Sequence, residues 1–191
     1  KNQELCRNNH GWAKRHKPDE EPTPYCFGGS FVVTSTHTPF RRIHEVGEEL
    51  MGEAKRKTKR AGNSVNWLIM AAEKEPLTER LLKFEKPLLI EMGKDGRLSM
   101  NEYLKMVTDY KNGISGTQRQ RMVAAMIDCG KDHAAFEEWM IRHAARETDK
   151  IYSALLMDKR LRRDDKMFSL ERLATLLELM GIETLSKGGN K

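Results

Sequence analysis

From Tyr25 onward a polar chain turns apolar. In "YCFGGSFVVTS", residues 25–35, the consecutive Phe31, Val32 and Val33 predict a buried β-strand, because a solvated strand would alternate. His37-Thr38-Pro39 ends it, and Pro39 suits the first turn of a helix. Phe40, Ile43, Gly47, Leu50 and Ala54 then recur at intervals of three and four, the stripe of a helix that stops near Lys57, with Glu48, Glu49 and Glu53 on its other sides. "NSVNWLIM", residues 63–70, returns to a strand. Strand, helix and strand in this order predict a βαβ unit, or the second half of a ferredoxin-like sandwich, with the helix on one face of the sheet.

Past Met70 the periodicity changes. Residues 75–96 read as a connector carrying one short apolar element, "KPLLIEM". A series of helices follows, with start and stop signals. Ser99 with Glu102, and Ser115 with Gln118, make capping boxes, and Gly130 stops the second helix after Met122, Met126 and Cys129. Asp132 opens a third, bearing Phe136, Trp139, Met140 and His143, which breaks near Thr148 before Ile151, Tyr152 and Leu155 continue. Ser169 caps the last, "LERLATLLELM", and Gly181 ends it as a C′ glycine. The fold class is therefore α+β. Residues 1–24 are irregular or partly disordered, 25–74 form the βαβ part, 75–96 the connector, 97–182 a helical bundle and 183–191 a flexible tail.

Composition narrows the setting. The chain is 38% hydrophobic and 32% charged, enough for a core beneath a heavily solvated surface. No apolar run approaches the roughly 20 residues that cross a bilayer, and no signal-peptide pattern opens the chain. Lys1 suits a processed chain or a piece of a longer one. A net charge of +6 favours polyanionic partners such as RNA or nucleotides, the bland reading being an ordinary basic surface. Three cysteines make no disulfide framework and fit a reducing cytoplasm. Cys6, His10, His16 and Cys26 match no compact zinc motif, and an unliganded loop is the better reading.

Candidate chemistry centres on Lys55. Nucleotide polymerases and cyclases hold two divalent cations between paired carboxylates and place a further cation near the triphosphate. Lys55, beside Ala54 on the apolar face, can reach out from the helix end to supply that cation. The plainer alternative is that Lys55, Arg56, Lys57, Lys59 and Arg60 complement the negative end of the helix dipole. Asp164-Asp165, after Arg160, Arg162 and Arg163, read as a solvated charge cluster and not as catalytic carboxylates. His133 and His143 lack a companion ligand, and Trp139 and the methionine-rich faces read as core and contact surface. Arg119, Arg121, Arg142, Arg160, Arg162 and Arg163 give the bundle a positive exterior suited to an RNA-bound neighbour.

Two stretches carry a family resemblance. "FGGSFVVTSTHTPFRRIHEVGEELMGEAKRKTKRAGNSVNWLIM", with His37, Pro39, Ala54, Lys55 and Asn63 in order, resembles the closing half of the second palm domain in the large polymerase-like subunit of type III CRISPR effector complexes. "KPLLIEMGKDGRLSMNEYLKMVTDYKNGISGTQRQRMVAAM" resembles the first helices of that subunit's C-terminal helical domain. The resemblance implies the second half of a ferredoxin-like palm followed by a helical bundle, in an RNA-guided antiviral complex of the cytoplasm. It implies ATP binding for cyclic oligoadenylate synthesis, a nucleotidyltransferase activity, with Gly28, Gly29, Ser30 and Lys55 at the nucleotide. It also implies Mg²⁺, whose ligands are not in this chain, and as partners other protein subunits, guide RNA and target RNA, with no membrane.

Two departures qualify the match. The family's Gly-Gly-Asp-Asp hairpin is absent from these 191 residues, and Gly28-Gly29-Ser30 stands in place of Ser-Ala-Gly. The swap keeps the small residues that let backbone approach a base or ribose. A catalytically inactive scaffold of the same ancestry, and a GGDEF-like nucleotide cyclase signalling domain sharing the Ala-Lys ending, are the alternatives.

Overall fold

The computed structural model describes residues 26–59, 61–70, 82–93, 96–146, 150–163 and 167–188. The zinc candidates Cys6, His10 and His16, the residues Arg60 and Thr148, and the pair Asp164-Asp165 lie outside them. The architecture is α+β. Strand β1 (Gly28–Val33) leads into helix α1 (Phe40–Lys57), which crosses to β2 (Ser64–Ile69). β1 and β2 are parallel, in register from Gly28 opposite Ser64 to Val33 opposite Ile69. That is the predicted βαβ unit. "KPLLIEM" supplies β3 (Leu88–Leu89), antiparallel to β2, so the sheet order is β1-β2-β3.

Five helices follow: α2 (Met100–Tyr110), α3 (Gly116–Cys129), α4 (His133–Arg146), α5 (Ile151–Met157) and α6 (Leu170–Gly188). A 3₁₀ turn (Lys159–Leu161) and a two-strand ribbon, β4 (Arg162–Arg163) with β5 (Met167–Phe168), join α5 to α6. Both capping boxes form. Ser99 Oγ accepts from the Glu102 N–H while Glu102 accepts from the Ser99 N–H, and Ser115 and Gln118 do the same. Asp132 opens α4 by accepting the Ala135 N–H at 3.0 Å.

Side-chain alternation sorts the sheet into two faces. Val32, Leu68 and Met70 pack with Val46 and Leu50 of α1 in a small cluster. On the other face Phe31 stacks on Trp67 at 5.7 Å between centroids, and Trp67 belongs to the main core with Tyr103, Met106, Phe136, Tyr152 and Leu173. Sheet and bundle thus share one apolar interior.

Three local expectations are corrected. Phe31, Val32 and Val33 are half-buried, because β1 is an edge of the described sheet and β2 is its central strand. Phe40 is 80% exposed, whereas Val46, outside the predicted stripe, is buried; the apolar seam of α1 lies nearer Val46, Leu50 and Ala54. Gly181 does not end α6, which runs on through 183–188, part of the stretch expected to be a flexible tail. A mid-helix glycine costs about 1 kcal/mol relative to alanine. The neighbouring turns bury Leu176, Leu177, Leu179 and Met180, which offsets that cost.

The junction after α5 is fixed by charge. Asp158 accepts from the Arg160 backbone N–H and guanidinium and from Tyr110 Oη at 2.8 Å, while Arg160 Nη1 reaches Asp109 at 2.9 Å. Burial raises the Asp158 carboxyl, but the bonds from Arg160 and Tyr110 outweigh it and hold it below the ordinary aspartate value. A depressed folded-state value means stability that is present above the unfolded value near 4 and lost as pH falls through the folded one. Asp158→Asn should therefore cost about 1.5–3 kcal/mol at pH 7 and make the loss between pH 5 and pH 2 shallower than in the parent. Urea melts across that range read both effects, and parallel pH profiles would remove Asp158 from the acid response.

Candidate functional site

The predicted nucleotide residues lie where the two parallel strands begin and α1 ends. Ser64 N donates to the Phe27 carbonyl at 2.8 Å, and Phe27 N donates to Asn63 Oδ1 at 3.0 Å, so Asn63 ties the turn after α1 to the start of β1. Ala54 is fully buried at the helix end, which sets Lys55 beside the strand.

Gly28 and Lys55 are brought together. A Cβ built on Gly28 would stand 2.7 Å from Lys55 Cγ and 2.9 Å from Cε, so the glycine makes room for the lysine stem. Ser30, two residues on and on the same face, donates its hydroxyl to the Gly47 carbonyl at 2.7 Å, which fastens α1 to β1. The hydroxyl that the family resemblance would give to a nucleotide is thus engaged by the helix. Gly29 alternates to the opposite face, where a Cβ would meet the Ser64 carbonyl at an ordinary 3.8 Å. Three of the four residues therefore line the α1 side, and Gly29 does not.

On that side Asn66 Nδ2 donates to Glu53 at 2.8 Å, and Lys57 pairs with Glu53 at 2.6 Å. Burial pushes the Glu53 carboxyl up, but the bond and charge of Lys57, together with Asn66, bring it below the ordinary value. A shallow cleft of about 470 Å³ runs beside this pair, lined by Arg42, Arg56, Lys57 and Lys86 with Glu49 and Glu53.

A second, larger cleft of about 570 Å³ opens where the α1–β2 turn meets β3 and the start of α2. Lys57, Lys59, Arg97 and Arg163 line it, over Pro87, Leu88, Leu89 and Leu98. The sequence pointed to Lys59 and Arg163 only as members of charge clusters, and Arg97 carried no signal. The cleft depends on a β3 pairing and a turn that no local pattern encodes.

The remaining candidates have structural surroundings. His133 Nδ1 lies 3.0 Å from the Phe168 carbonyl oxygen, and His143 sits against the Trp139 ring at 3.9 Å. Arg142, Arg160, Arg162 and Arg163 each face a carboxylate: Glu138, Asp158, Glu137 and Glu171 respectively. Cys26 is half-buried, and among the described residues no three His, Cys, Asp or Glu side chains gather as a metal site would need. Among them, too, no helix is long and apolar enough to cross a membrane. No protein-family model, curated protein or solved structure matches the chain.

Proposed function

We propose that the chain is part of the large palm-bearing subunit of an RNA-guided type III CRISPR complex. In this reading the β1-α1-β2 unit contributes to ATP binding for cyclic oligoadenylate synthesis, and the helices dock neighbouring subunits and RNA. The observation that carries the reading is the seating of the Lys55 stem over Gly28, where the ends of helix and strand converge. An ammonium on a stem held against backbone loses less freedom on meeting phosphate than one on a free side chain. Mg²⁺ would be held by carboxylates outside this chain, and synthesis depends on them.

Lys55→Ala should weaken ATP binding by the assembled complex about tenfold or more, the equivalent of losing a charge-assisted contact of about 1.5–3 kcal/mol. Stability should hold, since the residue is half-exposed at a helix end. Gly28→Ala keeps the ammonium but displaces its stem, and should lower affinity in the same direction. Unchanged ATP binding in both variants would reduce Lys55 to a complement of the helix dipole.

A scaffold subunit without synthesis is the second reading, and a specific observation favours it. The sheet face opposite α1 is covered by the bundle through Trp67, and the Ser30 hydroxyl is occupied by Gly47. Complex assembly that survives while ATP binding is absent from the parent itself would select it.

A further inference from the structure

We propose that the 570 Å³ cleft binds phosphates of an RNA strand without regard to base sequence, with Lys59 and Arg97 as the side chains that hold them. The proposal rests on the reading above only for the choice of RNA as the source of phosphate. Neither Lys55 nor Gly28 lines this cleft.

Charge is the first argument. Among the described residues four cations line the cleft against one carboxylate, Glu85, which is buried and turned to Tyr103 at 2.7 Å and Arg172 at 3.5 Å. Lys57 and Arg163 each have a neighbouring carboxylate. The side chains of Lys59 and Arg97 are exposed, and among the described residues neither has a hydrogen-bond or ion-pair partner.

Backbone conformation is the second. Lys59 is the one described non-glycine residue at positive φ, at 51°. The position closes α1, where glycine or asparagine ordinarily takes the left-handed conformation. Lysine in that conformation is uncommon, and the helix-closing bonds from Thr58 N to the Ala54 carbonyl and from Lys59 N to the Arg56 carbonyl hold it there, with the side chain on the cleft.

Rigidity is the third. A Cβ on Gly93 would run into the Arg97 carbonyl oxygen, so only glycine lets the backbone at 93 come this close to Arg97. Arg172 donates to the Gly96 carbonyl and holds the residue before Arg97 from the core. Arg97 thus follows a residue whose carbonyl is held from the core, which lowers the ordering cost of binding. Among the described residues the lining has no aromatic ring for a base to stack on and no side-chain amide to read its edge. The exposed cations of the cleft suit phosphate, and the volume suits a nucleotide-sized piece of a strand.

The test is fluorescence anisotropy of the full chain with a labelled 12-nucleotide polyuridine, with ATP as a second ligand. Lys59→Asn, which tolerates the left-handed backbone, combined with Arg97→Ser should weaken RNA binding at least tenfold. It should also lower the slope of log affinity against log salt by about 1.4, two phosphates at about 0.7 each. A charge-matched α2 pair of exposed lysines, one on the helix and one at its C-cap, Lys105→Ser with Lys111→Ser, should do neither. A loss seen with ATP and not with RNA overturns the RNA assignment and gives the cleft to a nucleotide. No loss with either ligand, or an equal loss in the α2 pair, overturns the site. That failure is separable from failure of the palm reading, which is decided by Lys55 and ATP.

Discussion

Replacing Arg172 with methionine is expected to destabilise the chain by about 3–5 kcal/mol, the cost of breaking a buried ion pair from one side. Arg172 on α6 is 5% exposed and reaches in three directions. Its guanidinium donates to the carbonyls of Gly96, Arg160 and Arg162, which secures the turn before α2 and the strand after the 3₁₀ turn. Its Nε stands 3.5 Å from Glu85 Oε2 without hydrogen-bond alignment, so that contact is electrostatic. Glu85, also 5% exposed, otherwise holds the Tyr103 hydroxyl, and its backbone N–H donates to Thr175 one turn along α6 at 2.7 Å. Burial, followed by the Glu85 charge, pushes the Tyr103 phenol well above its usual value, and its hydroxyl donates to Glu85 Oε2 at 2.7 Å.

Without Arg172 the Glu85 carboxylate is buried with no counter-charge. For a chain of this length each kcal/mol moves the melting temperature by about 2–4 °C, so a fall of roughly 6–20 °C follows. Adding Glu85→Gln to Arg172→Met should recover part of it, because the stranded charge is gone. A single-variant loss under about 1 kcal/mol would show the pair to be solvated.

Trp67→Ala should cost a similar amount, about 3–5 kcal/mol, as a large aromatic removed from a closed core. Trp67 is fully buried, stacks on Phe31 and donates Nε1–H to Glu178 Oε2 at 2.9 Å. Lys86 completes the group: its Nζ lies 3.1 Å from the Trp67 carbonyl, 3.3 Å from Glu178 and 4.7 Å from the Phe84 ring centre. Trp67→Phe keeps the stacking and loses the indole bond, and should cost a smaller amount, about 1–3 kcal/mol for the carboxylate left short of a donor. Chemical denaturation followed by circular dichroism reads both. Because Trp67 belongs to the sheet and to the bundle core, the alanine variant should retain one transition at lower denaturant. Two separated transitions, with the helical one unmoved, would mean that sheet and bundle fold independently.

Much of the chain's local plan is written in residues three or four apart. Ser99 with Glu102, Ser115 with Gln118, and Asp132 before Ala135 specify helix starts, because both partners lie in one turn and meet as soon as the helix forms. The order of strand, helix and strand from Gly28 to Ile69 is legible for the same reason: a period of two or of 3.6 is a property of a few consecutive side chains. The juxtaposition of Gly28 and Lys55 comes close to following from that order, since a crossover helix between adjacent parallel strands must end beside their beginnings.

What the sequence left open depends on partners far along the chain. Glu85 meets Thr175 across 90 residues and Trp67 meets Glu178 across 111, and no local signal couples such positions. Gly181 reads as a stop until the packing around Leu177 and Met180 outweighs its propensity, and Phe40 reads as core until the helix settles on Val46. The basic cleft is wholly of this kind. Lys59 and Arg97 lie in separate turns, and the pairing of β2 with β3 and the hold of Arg172 on Gly96 bring those turns together. The sequence by itself determined the elements and their order, because those follow from neighbours along the chain. Only the tertiary structure decided which charges are buried, which are paired and which are left facing a cleft, because those depend on segments that meet after the chain has crossed itself.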